Sequence, residues 1–126
     1  MNYEDMSDFE VNKKVAGVFL PCDYLFDEKN KRVELANYQD VMIGDLHDQV
    51  LTPYQEFNPC NNPSDAWLII VENKIAILPN AQGTWLSYGW KKWDGKQDFS
   101  PRKEAIDKNP LRAAMICFLK MKDEEK

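Results

Sequence analysis

Apolar residues recur along this chain with a changing period, and each change marks an element. Near the start, Phe9, Val11, Val15 and Val18 form a loose helical face. Ser7 and Glu10 have the spacing of a capping box, Met6 and Val11 stand where a hydrophobic staple would pack, and Gly17 offers a stop. A helix over Asp8–Ala16 is predicted. From Val18 to Pro59 the apolar runs are short and broken by Pro, Asn, Asp and Gly, which predicts short strands and loops. Asn62-Pro63-Ser64-Asp65 then reads as a helix start: an Asn acceptor, a Pro that needs no N–H, and an acid at the positive end of the helix dipole. The following Trp67-Leu68-Ile69-Ile70-Val71 has strand propensity, and the cap signal is preferred over it.

Lys74 to Leu78 and Thr84 to Trp90 flank the Gly-containing loop Pro79-Asn80-Ala81-Gln82-Gly83, which predicts an antiparallel hairpin. In its second strand Leu86, Tyr88 and Trp90 share one face and Trp85, Ser87 and Gly89 the other. The first set is the expected core face. Asn109-Pro110 opens a last helix, apolar almost all round from Leu111 to Met121, which belongs in the middle of the core. Ala113 and Ala114 allow another element to approach it closely. The expected fold class is therefore α+β: one domain over residues 1–126, with about three helices on a small antiparallel sheet and a frayed charged tail at 122–126.

Composition agrees with a folded domain, since 44% of the 126 residues are apolar and 12% aromatic. No apolar run reaches the length of a membrane span, and the acidic start Met1-Asn2-Tyr3-Glu4-Asp5 lacks the basic opening of a signal peptide, so a cytoplasmic protein with no membrane partner is expected. Cys22, Cys60 and Cys117 are odd in number and widely spaced, which speaks against disulfides and zinc. The net charge of -5 is uneven: Gly83 to Lys103 carries a local +3.

Two blocks resemble the NinX-like proteins of lambdoid phages. They are Cys60-Asn61-Asn62-Pro63-Ser64-Asp65-Ala66-Trp67 with Ile69-Ile70-Val71-Glu72-Asn73-Lys74-Ile75, and Asn109-Pro110-Leu111-Arg112-Ala113-Ala114-Met115 with Phe118-Leu119. The opening Asp8-Phe9-Glu10-Val11-Asn12 is similar too. The chain departs from that pattern at Leu68, where relatives often carry proline, and in a longer segment from Trp90 to Lys108. The resemblance implies a phage or prophage accessory protein of unknown function in the bacterial cytoplasm, and it brings no catalytic residue or cofactor.

The residues nominate little chemistry. His47 is the only histidine and has no partners at ligand spacing, so a plain surface histidine is expected. Cys60 stands near a helix N-terminus, where a thiolate would be favoured, but lacks an evident base, and a packed thiol is the simpler reading. No phosphate loop, nucleophile elbow or zinc-protease motif occurs. One cluster stands out: Trp85, Tyr88, Trp90 and Trp93 with Lys91, Lys92 and Lys96 interleaved. It reads as a patch that binds a host or phage protein, as a surface for single-stranded nucleic acid, or as an ordinary strand whose aromatics are core. The first is the expected function, a non-enzymatic protein-interaction module with no cofactor and no metal. Nucleic-acid binding through Trp85 to Lys103 is the alternative, and a carboxylate-dependent hydrolase the weaker one.

Overall fold

A computed structural model describes residues 2–89 and 103–124. Helix α1 (Asp8–Phe19) starts where the capping box places it, with the Glu10 N–H donating to Ser7 Oγ at 3.2 Å. It does not stop at Gly17 as expected. The helix runs one turn further because Phe19 finds a partner, packing edge-on against Phe118 with ring centroids 6.2 Å apart. Helix α2 (Pro63–Glu72) follows its cap, Asn62 accepting from the Ser64 N–H at 3.0 Å. Its strand-like residues are split by the helical period: Ala66, Ile69 and Ile70 turn inward while Trp67, Leu68 and Val71 face out.

The strands divide between two antiparallel three-stranded sheets. The first contains β1 (Tyr24–Asp27), β2 (Arg32–Ile43) and β3 (Leu46–Phe57), in that order. Where the sequence suggested only short strands and loops, β2 and β3 are twelve residues each and form one long hairpin around Gly44-Asp45. Gly44 has φ +65°, a value that glycine adopts without strain, and a two-residue turn with such a glycine suits the twist of paired strands. β1 pairs only with Arg32–Leu35, so beyond Leu35 the hairpin continues as a two-stranded arm. A register shift that skips Tyr54 marks the base of that arm.

The second sheet contains β4 (Ala76–Pro79), β5 (Trp85–Gly89) and β6 (Lys103–Asp107), in that order. Against its face lies α3 (Pro110–Glu124), whose residues Ala113 to Leu119 are all buried. The expected core face of β5 is inverted. Ser87 and Gly89 face α3, and a Cβ added to Gly89 would sit 2.1 Å from Met121 Sδ. Ala105, opposite Ser87 in the register, is buried as well. The helix packs closely over the small residues at 87, 89 and 105, with Ile77 of β4 also packed against the core, and Leu86 and Tyr88 take the other face. There Leu78, Leu86 and Ile106 form one cross-strand row, with Leu78 and Ile106 exposed.

Candidate functional site

The two Asn-Pro blocks meet in space and join three helix starts. Asn109 caps α3 by accepting from the Leu111 N–H at 2.9 Å, and its amide donates to the Cys60 carbonyl at 2.7 Å and to Asn61 Oδ1 at 3.1 Å. Asn61 donates to Asp8 at 3.0 Å, and the buried Asn12 accepts from the Cys60 N–H and donates to Asn58 at 2.8 Å. The Asp65 carboxylate accepts from the Asn58 N–H at 2.8 Å, and its pKa is raised chiefly by burial. Arg112 closes the assembly from α3. It is 8% exposed, pairs with Asp8 at 2.7 Å and Asp107 at 3.2 Å, and donates to the carbonyls of Tyr3, Glu4 and Met6. These bonds satisfy helix ends, a loop carbonyl, buried amides and a buried guanidinium, so this network is a fold device.

The groups with reactive chemistry are held in the same manner. Cys60 is fully buried and its thiol is pushed up to about 12 by burial, the opposite of an activated nucleophile. Cys117 is buried and pushed up to about 11, again mainly by burial. His47 lies exposed on β3. Carboxylates come together across arginines: Asp8 and Asp107 on Arg112, Glu34 and Glu56 on Arg32. Among the described residues no group of three or more His, Cys, Asp or Glu is placed to hold a metal ion. Between α1 and α3 a shallow hollow of about 190 Å³ is lined by Tyr3, Lys14, Val18 and Asp123 among others. Its phenol and carboxylate are engaged with each other, and the Tyr3 hydroxyl is pushed up to about 12, first by burial and then by Asp123.

Of the patch expected from the sequence, Trp85 is half-buried at the start of β5; Trp90, Lys91, Lys92, Trp93 and Lys96 lie outside the described residues. The apolar surface that is described lies elsewhere. On the arm, Tyr38 is 59% exposed, Met42 60%, Ile43 61% and Leu46 72%, and Val50 and Tyr54 are exposed too. Register divides these between faces: Val41, Ile43, Leu46 and Val50 on one, Tyr38, Met42 and Leu51 on the other. The second surface is the outer side of α2, where Trp67, Leu68 and Val71 are exposed on neighbouring turns.

Residues 2–122 match the family described as bacteriophage P22, NinX. The chain belongs to that family. No curated protein and no solved structure matches it. The NinX match spans both Asn-Pro blocks, which in this chain serve as fold chemistry. Among the described residues of this NinX-family chain, no helix is long and apolar enough to cross a membrane. The arm was missed in the sequence, although one signal was there to find it, the two-residue turn Gly44-Asp45; the surrounding stretch between Arg32 and Lys74 also holds no Lys or Arg.

Proposed function

We propose that this phage protein is a non-enzymatic interaction module that binds a host or phage protein through the β2–β3 arm. The observation that carries the reading is that large apolar side chains are exposed on both faces of the arm beyond Leu35. A two-stranded hairpin is marginal alone in water, and a long exposed apolar ribbon invites pairing, so such an arm is a liability unless something covers it. The chemistry nearby supports the same reading, since the described thiols in the core are buried and the clustered carboxylates neutralise arginines.

The test is affinity capture of the tagged protein from phage-infected cells, comparing the wild type with I43S/L46S on the arm and W67A on α2. Loss of the captured protein in I43S/L46S, with W67A unchanged, is expected. Dependence on Trp67 alone would move the site to α2. A captured set identical in all three would remove the reading.

A further inference from the structure

We infer that the arm's occupant is a protein cleft with an apolar floor and a Lys/Arg rim, and not a second copy of this chain. The inference rests on the interaction reading above and adds the chemistry of the partner. Asp40, Asp45 and Asp48 all lie on the arm, and no Lys or Arg lies on it to offset them, His47 being its one imidazole. The nearest, Arg32, is spent at the arm's base on Glu34 at 3.8 Å and Glu56 at 3.0 Å.

The placement of the acids matters as much as their sign. Asp48 shares a face with Val41, Ile43 and Leu46; Asp40 shares the other with Tyr38 and Met42; Asp45 sits in the turn. Each apolar face thus carries its own carboxylate, and the tip carries a third. From Ala36 to Ile43 the arm spans about 23 Å at roughly 3.3 Å per residue. A ribbon that carries exposed apolar side chains on both faces is covered by insertion between two walls, whereas docking on a flat surface would leave one face wet.

Burying those apolar faces brings the carboxylates to the edge of the contact, where an unpaired charge is costly and a cationic partner both offsets it and speeds encounter. Edge-to-edge pairing with a second copy offers the reverse, since antiparallel pairing of two β2 edges centred on Asp40 sets like charges directly opposite. The same sign opposes nucleic acid on this surface.

The test places a photo-crosslinking residue at Leu46 of the full chain in phage-infected cells and maps the adduct. The expected result is a cross-link to an apolar stretch flanked by Lys or Arg on another protein. Its yield should fall about tenfold or more in D40N/D45N/D48N, and fall also with added salt. Single D48K serves as a second variant with the same expected loss. Circular dichroism matching the wild type shows that both variants are folded.

Three outcomes overturn the inference while leaving the interaction reading in place: an adduct to a second copy, an adduct to a sequence without flanking bases, or a yield that ignores the Asn substitutions. Failure of the reading itself looks different. In that case no adduct forms at Leu46, and I43S/L46S leaves capture unchanged.

Discussion

The side-chain amide of Asn109 donates to the backbone carbonyl of Cys60 at 2.7 Å, so the cap of α3 is fastened to the loop that leads into α2. One asparagine therefore serves two elements, its oxygen satisfying first-turn N–H groups and its nitrogen tying down a segment far away in sequence. N109A should cost about 2 kcal/mol, roughly half from the lost cap and half from the lost Cys60 bond. N109S keeps a capping oxygen and loses only the amide, so about half the loss is expected. Urea midpoints of the three proteins check this order, and equal stability of N109S and N109A would sink the two-role account.

Arg112 holds two carboxylates and three carbonyls from a nearly closed site. Removing it in R112M strands those acceptors, and a loss of about 3–5 kcal/mol is expected. R112K should recover little, because one ammonium cannot reproduce the planar fork that reaches Asp8, Asp107 and the carbonyls together. Thermal melts decide it: a lysine variant as stable as the wild type would show that charge alone matters.

The contact between Gly89 and Met121 leaves no room for a Cβ, but what stands in the way is the end of a flexible side chain. G89A should therefore cost only about 1–2 kcal/mol, and G89V more. In the M121A background the penalty of G89A should shrink, giving a coupling energy above about 0.5 kcal/mol in a double-mutant cycle. Strict additivity would mean that the backbone of β5, and not Met121, resists the substitution.

Alkaline pH should unfold the protein through its core thiols. Cys60 and Cys117 are raised from 9.0 to about 12 and about 11, so the folded state keeps protons that the unfolded chain releases. Their contribution is complete below pH 9 and is lost as pH rises from there through about 11 to 12. The expected slope is about 1.4 kcal/mol per pH unit for each thiol. In C60A the pH slope of the urea midpoint should fall by about one proton; an unchanged slope would refute the assignment.

Reagent access follows from the same burial. Cys22 is exposed while Cys60 and Cys117 are buried. A thiol reagent such as Ellman's should modify one thiol quickly in the native protein and all three in denaturant. Fast native reaction of a second thiol would contradict the packing around α3.

What was legible in the sequence was local. Ser7, Asn62 and Asn109 announced three helix starts because a cap needs only its own first turn. The arm was not legible, although Gly44-Asp45 is a hairpin turn signal. Asn37, Gln39, Asp40, Asp48 and Gln49 break the alternation that a strand shows only when one face lies against a core. The face of β5 was misread for a related reason. Leu86 and Tyr88 outrank Ser87 and Gly89 in hydrophobicity, but α3 packs so closely over β5, with Met121 against Gly89, that size decides which face lies beneath it. The exposure of Trp67 is likewise a tertiary fact, since the periodicity of α2 leaves open how much of its surface is covered.

The position of α3 has a consequence for biosynthesis. It follows every other described element in the chain, yet Ala113 to Leu119 occupy the interior and Arg112 donates to the carbonyls of residues near the start. A nascent chain that ends before Asn109 has both sheets and two helices but nothing to close them around. The ribosome must therefore release the last helix before the molecule can become native, and until then the apolar inner faces of the earlier elements depend on chaperones or on speed.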